Sequence, residues 1–109
     1  MKKYILSLLF VLMSFSTFSQ ITVTHFNAGW NSANDVQWVD KLSDCDIAKV
    51  DIAADPKIQQ KHNVVVVPTI IVFQDGEEVK RFQADLSFKI AATREELQDY
   101  IDELVMSAF

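Results

Sequence analysis

One cysteine is the only side chain in this sequence that could carry thiol chemistry. Cys45 stands between Asp44 and Asp46, in a polar break before an apolar run. Two neighbouring carboxylates disfavour the thiolate, so the pKa of Cys45 should exceed the ordinary thiol value of about 8.5 and make it a poor nucleophile at neutral pH. An inert or half-buried thiol is the favoured interpretation. A disulfide-linked dimer or adduct and a catalytic monothiol are the alternatives.

Two histidines complete the set of side chains that could ligate a soft metal. His25, Cys45 and His62 share no helical or loop spacing, whereas zinc sites usually contain closely spaced ligand pairs. The sequence therefore predicts no metal site and no cofactor. We expect His25 to face the first helix from a strand. We expect His62 in the last turn of a helix, where the partial negative charge suits an imidazolium.

The stretch Ala28–Asp35, AGWNSAND, places polar side chains at a predicted strand-to-helix junction. The side chains of Asn31, Ser32 and Asn34 can accept hydrogen bonds from the first N–H groups of a helix, so capping is the favoured interpretation. A small anion or carboxylate on the same N–H groups is the alternative, although the negative charge of Asp35 opposes it.

The elements that would position these residues follow from hydrophobic periodicity and from start and stop signals. Alternating β-branched runs predict strands, and apolar residues at helical spacing behind a capping signal predict helices. Asp75-Gly76 predicts a tight hairpin turn. The predicted strands are 21–26, 47–52, 79–82 and the apolar runs 64–67 and 69–73, which Pro68 separates. The predicted helices start at Ser32–Asp35, Asp55–Pro56 and Thr93–Glu96.

The resulting order is βαβαββα, with parallel crossovers expected among the first three strands and an antiparallel hairpin at the end. This order resembles the thioredoxin family without its usual extra N-terminal strand and helix. Ala28-Gly29-Trp30 and the next four residues are similar to the family's active-site loop, and Val67–Phe73 followed by Asp75–Glu77 is similar to its cis-proline strand and hairpin. The resemblance covers 21–82 and 93–105. It implies a minimal α/β thioredoxin-like fold with a mixed four-stranded sheet flanked by helices.

The departures from the family fall where its chemistry would be. The motif Asn31-Ser32-Ala33-Asn34 has asparagines at the two positions of the family's redox cysteines, and His25 matches the position of its buried acidic residue. An asparagine amide is neither a nucleophile nor a leaving group. We therefore expect no catalytic residue in this motif and no dithiol redox chemistry.

Pro68 is the second feature that the resemblance makes informative. The resemblance implies a cis Val67–Pro68 bond and backbone beside it that pairs with an extended peptide, a contact that needs no cysteine. The expected binding residues are Trp30, Asn31, Asn34, Val67 and Pro68, with Val66 beside them. Inherited architecture without a ligand is the alternative.

The segment 84–91 is longer than the usual connection to the last helix. Ala84, Leu86, Phe88 and Ile90 alternate with polar residues, which predicts a half-buried strand or an extended flap. Packing on the domain's own core is the favoured interpretation. A partner surface formed by Leu86, Phe88 and Ile90 is the alternative.

The first 19 residues have the pattern of a cleaved export signal. Lys2 and Lys3 precede an apolar run, and Thr17 and Ser19 are small residues before a cut at Gln20. The run is shorter than the roughly 20 residues of a membrane span, so an uncleaved anchor is the weaker alternative. We expect residues 20–109 to form a single periplasmic or extracellular domain with no membrane span.

Charge and cysteine content narrow the possible partners. Loss of Lys2 and Lys3 changes the formal net charge from −5 to −7, so nucleic acid is not an expected partner. The sequence favours a redox-inactive module that binds a peptide or protein. A monothiol redox protein acting through Cys45 in cell redox homeostasis is the alternative, and a structural partner that dimerises through Cys45 or segment 84–91 is a third possibility.

Overall fold

A four-stranded mixed sheet organises the protein. The computed structural model describes residues 20–107, so the predicted signal segment 1–19 lies outside the described residues. The strands lie in the order β2-β1-β3-β4, with β1 parallel to β2 and antiparallel to β3, and β3 antiparallel to β4. Their bounds are β1 Ile21–Asn27, β2 Asp46–Asp51, β3 Thr69–Gln74 and β4 Glu77–Gln83.

The antiparallel direction of β3 corrects the predicted crossover between β2 and β3. The connecting helix, α1 (Pro56–Lys61), contains 6 residues. Six helical residues span about 9 Å, whereas a strand of the same length spans about 20 Å. The helix is therefore too short to carry the chain back along the length of the sheet. As a result, β3 starts at the same end of the sheet at which β2 finishes.

The two α-helices start at the predicted signals. The Asp55 side chain accepts a hydrogen bond from the Ile58 N–H at 3.3 Å, and Pro56 occupies the first turn of α1. The second helix, α2, is Arg94–Ser107, and the Thr93 hydroxyl accepts a hydrogen bond from the Glu96 N–H at 3.2 Å. Within residues 20–107, neither helix combines the length and the hydrophobicity needed to cross a bilayer.

The helix predicted from Ser32 and Asp35 is not an α-helix. Two 3₁₀ segments, Gly29–Asn34 and Gln37–Lys41, occupy this part of the chain. The Asn31 carbonyl accepts a hydrogen bond from the Asn27 side-chain amide, so the Asp35 N–H bonds to the Ser32 carbonyl instead. A side chain has thus replaced a rung of the α-helical ladder, which favours the tighter turn.

Each face of the sheet carries its own core. The larger cluster packs under α2 and the second 3₁₀ segment, and the smaller one packs around the start of β3. The larger cluster consists of Ile21, Val23, Val39, Leu42, Ile70, Val72, Leu97 and Ile101. The smaller cluster consists of Phe26, Ala28, Ile52, Val64, Val67 and Ile71.

The segment 84–91 does not form the predicted period-two strand. The Asp85 carboxylate accepts hydrogen bonds from the N–H groups of Ser87 and Lys89 at 2.8 and 3.3 Å, which closes a compact turn. Leu86 is therefore fully exposed at the tip, whereas Ile90 packs against the larger cluster. The alternating side chains do not share one face because the aspartate bends the backbone locally.

Candidate functional site

A closed network of amides occupies the loop that follows β1. Asn31, which is 4% exposed, donates a side-chain hydrogen bond to the Asn27 carbonyl oxygen Oδ1 at 3.0 Å. Its own Oδ1 accepts a hydrogen bond from the Asn34 amide at 2.8 Å. The Asn27 amide also donates to the Asp35 carboxylate at 2.6 Å. Asn31 and Asn34 are therefore joined by a hydrogen bond and form part of the loop's structure.

This network corrects the predicted capping role of the motif. Among residues 20–107, no side chain caps the first 3₁₀ segment, which is preceded by Ala28. The asparagine amides pair with one another because Asn27, at the end of β1, presents a complementary donor and acceptor at short range. Neither Asn31 nor Asn34 offers a thiol, so disulfide exchange cannot proceed at these positions.

His25 supports the same loop from β1. It is 4% exposed, and its Nε2 accepts a hydrogen bond from the Val36 N–H at 3.1 Å, which places the imidazole proton on Nδ1. Burial lowers the pKa of His25, and the Asp35 carboxylate opposes that shift. The prediction that His25 faces this part of the chain is confirmed, although the partner segments are 3₁₀ turns.

A polar cavity of about 300 Å³ lies beside His25. Polar and charged residues of β1, β2 and the loop after β1 line it, including Ser32, Asp35, Lys49 and Asp51. The Asp51 carboxylate accepts hydrogen bonds from the N–H groups of Gly29 and Ala53 at 3.1 and 2.9 Å. A Cβ at Gly29 would lie 3.0 Å from Asp51 Oδ2, so the glycine allows this close approach.

Cys45 is a partly buried thiol that packs against the larger core cluster. Burial raises its pKa to about 11, and the carboxylates of Asp46 and Asp44 add to the shift. The predicted direction and the half-buried position are both confirmed, while burial rather than the neighbouring carboxylates is the larger cause of the pKa shift. At neutral pH almost all of this thiol is protonated, so it is a weak nucleophile.

The Val67–Pro68 peptide bond is cis, as the resemblance implied. The Thr69 hydroxyl donates to the Val66 carbonyl at 2.7 Å, and the Pro68 carbonyl accepts from the Ala84 N–H at 3.1 Å. Within residues 20–107, the backbone N–H groups of Val65, Val66 and Val67 have no hydrogen-bond partner. Val67 and Pro68 are buried as whole residues, whereas Val65 is exposed and Val66 is half-buried, so Val65 and Val66 are the accessible part of this segment.

An apolar groove of about 270 Å³, called the Trp30 groove, runs beside this backbone. Trp30 is 71% exposed and makes an edge-to-face contact with Phe88 at a centroid distance of 6.0 Å. The groove is lined by Trp30, Ile52, Gln59, Val65, Val66, Val67, Asp85, Leu86 and Phe88.

The Trp30 groove brings together part of the predicted binding set. Trp30 and Val67 share it with Leu86 and Phe88, which were predicted as a separate partner surface. Asn31 is committed to the amide network, and Pro68 is buried behind the wall. Asn34 and Ile90 line a neighbouring cavity of about 360 Å³, and Phe88 lines this cavity as well.

Four groove residues were absent from the predicted set: Ile52, Gln59, Val65 and Asp85. Val65 is 78% exposed within a run of four valines, and Asp85 holds the turn that carries Leu86. The valine run contains no marker that distinguishes its exposed member. Asp85 offered a weak signal, because an aspartate side chain often accepts a hydrogen bond from the backbone N–H two residues on, which forms an Asx turn. Among residues 20–107, no group of three His, Cys, Asp or Glu side chains is arranged to hold a metal ion.

Comparison with known proteins agrees with the architecture. Thioredoxins from Mycobacterium bovis and Mycobacterium tuberculosis are each 35% identical to this chain over 65 residues, which is 60% of this chain and 54% of theirs. The chain thus spans about half the length of the curated relatives it matches.

Solved structures show the same fold at lower identity. A thioredoxin variant from Halobacterium salinarum has a TM-score of 0.63 at 22% identity, covering 79% of this chain and 75% of that chain. Thioredoxin 1 from Thermosipho africanus has a TM-score of 0.59 at 21% identity, covering 79% and 96%. The family model described as Thioredoxin matches residues 20–103. The chain, with one cysteine and asparagines at the redox positions, therefore belongs to the thioredoxin family.

Proposed function

We propose that this protein is an exported, redox-inactive member of the thioredoxin family that binds an extended segment of a peptide or protein in the Trp30 groove. The observation that carries this proposal is the juxtaposition of unpaired backbone and apolar wall. The N–H groups of Val65, Val66 and Val67 have no hydrogen-bond partner within residues 20–107. The same three residues line the groove together with the exposed side chains of Trp30 and Leu86. An added strand would pair with this backbone and bury the aromatic ring.

The composition of the groove suits an extended chain segment as its ligand. Its walls are mainly aliphatic and aromatic, and the exposed Trp30 ring supplies a large contact area at a small cost in side-chain entropy. A chain segment that contributes backbone hydrogen bonds and one or two side chains suits this shape.

Redox inactivity is proposed on the chemistry of the two candidate positions. Asn31 and Asn34 hold each other in a hydrogen bond, and neither can form a mixed disulfide. The Cys45 thiol has a pKa of about 11, which weighs against the alternative of a monothiol redox protein.

Export is proposed on the sequence of residues 1–19 alone. The two lysines, the apolar run and the small residues before Gln20 support cleavage at that point. Mass spectrometry of the protein secreted by its native host or an export-competent host tests it: a mature N-terminus at Gln20 is expected, and an intact N-terminus would contradict it.

Selection from random peptides displayed on phage tests the binding role. We expect peptides that bind saturably and lose affinity at least tenfold on Trp30→Ala, because the exposed ring supplies much of the groove wall. Met106→Ala is the matched control, since Met106 is 75% exposed on α2 outside the groove. Failure to select any saturable binder, or equal losses for both variants, would reject the proposal.

An insulin-reduction assay tests redox inactivity separately. We expect wild type and Cys45→Ser to be equally silent, because no accessible thiolate is available at neutral pH. Turnover by wild type that disappears in Cys45→Ser would instead establish the monothiol alternative.

A further inference from the structure

The turn between β4 and α2 forms one wall of the Trp30 groove. Leu86 at its tip is fully exposed, and Phe88 contacts the Trp30 ring edge-to-face at 6.0 Å. Val65, Val66 and Val67 also line this groove. Exposed apolar side chains and a segment with unpaired backbone N–H groups thus share one cleft.

The backbone of this turn holds Phe88 in an uncommon conformation. Phe88 has a φ of 64°, a value that bulky residues rarely adopt. The Asp85 carboxylate and the Phe88 N–H, which donates to the Asp85 carbonyl at 3.0 Å, fix the turn. Strained residues of this kind concentrate at ligand clamps, where the surrounding structure compensates for their cost.

Asp85 also leaves a charged group at the edge of the groove. Its intramolecular hydrogen bonds from Ser87 and Lys89 all use Oδ1, and within residues 20–107 Oδ2 has no partner. Asp85 lines the groove together with Leu86 and Phe88. The free carboxylate oxygen can therefore accept a hydrogen bond from a cationic side chain that lies beside the apolar wall.

We infer that the 85–88 turn gives the groove a preference for an extended peptide with two features. The first is a large aliphatic or aromatic residue that lies between Trp30, Leu86 and Phe88. The second is a lysine or arginine, two residues away in the peptide, that pairs with Asp85. This inference rests on the proposed function and specifies its partner. Residues two apart in a strand point to the same side, about 6.6 Å apart, so one peptide strand can present both groups to the same wall.

The test uses a synthetic peptide, Thr-Arg-Thr-Leu-Thr-Val-Thr, labelled at its N-terminus and titrated with the protein by fluorescence anisotropy. Its arginine, leucine and valine share one side. We expect replacement of the peptide leucine by aspartate to weaken binding at least tenfold, because the apolar contact is lost. Leu86→Ser should have a similar effect, and Met106→Ser, at a comparably exposed position on α2, should have none.

The charge pair is tested independently of the apolar contact. Asp85→Asn retains the Oδ1 acceptor that closes the turn but removes the negative charge. We expect it to weaken binding of the arginine peptide about twofold to fivefold, and to leave binding of the matching glutamine peptide unchanged. Equal losses for both peptides would overturn the assigned charge pair.

Phe88→Gly separates the ring from the turn, because glycine adopts the same φ without strain. We expect weaker peptide binding with no loss of protein stability. Peptide binding that is insensitive to Leu86→Ser, Phe88→Gly and the leucine replacement would overturn this inference while leaving the proposed function intact. No saturable binding of the probe, or a dimer in sedimentation that Leu86→Ser dissociates, would also overturn it.

Discussion

At the scale of single residues, the asparagines at the redox positions form structural hydrogen bonds. Asn31 is buried and bonds to Asn27 and Asn34 through opposite ends of its amide. These two positions therefore carry a hydrogen-bonded pair of amides and no thiol. The loop that carries Trp30 is held in place by amides, whose state does not depend on the redox potential of the compartment.

Asn31→Ala should lower the free energy of unfolding by about 1–3 kcal/mol, because the buried Asn27 Oδ1 loses its partner. Urea denaturation measures the effect. Ser32→Ala is the matched control in the same segment, since the Ser32 side chain is exposed and makes no hydrogen bond within residues 20–107. It should change stability by less than about 0.5 kcal/mol. Equal effects would contradict the structural role of Asn31.

His25 should make the stability depend on pH in a defined window. Burial lowers its pKa in the folded protein, so the unfolded chain takes up a proton first as the pH falls below about 6.5. Stability should decrease below that pH, by at most about 1.4 kcal/mol per pH unit, and level off for this group once the folded protein is also protonated. Denaturation of wild type and His25→Gln between pH 8 and 5 measures it.

The control variant should show a flatter profile in that window. Glutamine retains an acceptor for the Val36 N–H but does not titrate. A hydrogen bond from Arg81 lowers the pKa of Glu78, so the contribution of that carboxylate is lost only at more acidic pH. An unchanged slope in His25→Gln would show that another group titrates there.

At the scale of elements, the short helix α1 depends on the neighbouring strand. Arg81 on β4 donates to the carbonyls of His62 and Asn63, where α1 ends, and pairs with Glu78 at 2.7 Å. Asn63 has a φ of 52°, which turns the chain toward the Val64–Val67 segment. Arg81 thereby links the outer strand to the chain that forms the groove wall.

Arg81→Lys should lower stability by about 1–2 kcal/mol, because a lysine ammonium cannot reproduce the planar fork that reaches two carbonyls and a carboxylate. Thermal or urea denaturation measures the change. Arg94→Lys provides the matched control, since Arg94 is more exposed and pairs only with Glu95 within residues 20–107. Its effect should lie within about 0.5 kcal/mol. A similar loss in both variants would contradict the linking role of Arg81.

At the scale of the whole molecule, one helix closes the larger core. Leu97 and Ile101 of α2 are fully buried against the sheet, and the Gln98 amide makes two hydrogen bonds with the Ser43 backbone at 2.9 and 3.1 Å. These contacts join the C-terminal helix to the segment after the second 3₁₀ turn. A domain of this size is typically stable by only 5–15 kcal/mol, so α2 is expected to be essential for folding.

Ile101→Ala should lower the free energy of unfolding by about 2–5 kcal/mol through loss of burial and creation of a cavity. Met106→Ala, on the same helix but 75% exposed, should cost less than about 0.5 kcal/mol. Urea denaturation followed by far-ultraviolet circular dichroism compares the two. Equal stability of Ile101→Ala and Met106→Ala would contradict the packing of α2 on the sheet.

The outer strands of the sheet carry charges that oppose uncontrolled pairing. Asp46, Lys49 and Asp51 are exposed on β2, and Glu77, Glu78 and Lys80 are exposed on β4. Charged side chains on outer strands disfavour edge-to-edge association. The proposed strand addition is therefore expected at the Val65–Val67 backbone, where the flanking side chains are apolar.

The sequence by itself determined those elements that depend on local chemistry. Asp55-Pro56 starts α1, Asp75-Gly76 turns the hairpin with φ values of 53° and 86°, and Thr93 starts α2. Each of these signals acts over three or four residues, so its effect does not depend on distant packing. The absence of redox cysteines also required only the residue types at 31 and 34.

The tertiary structure decided the features that depend on residues far apart in the chain. The end of β1 supplies Asn27, whose amide converts the predicted first α-helix into 3₁₀ turns. The short α1 determines the direction of β3. The turn at Asp85 places Leu86 and Phe88 beside Trp30, more than fifty residues earlier in the sequence. The groove is a long-range arrangement, and neither periodicity nor a local motif specifies which distant side chains will share a surface.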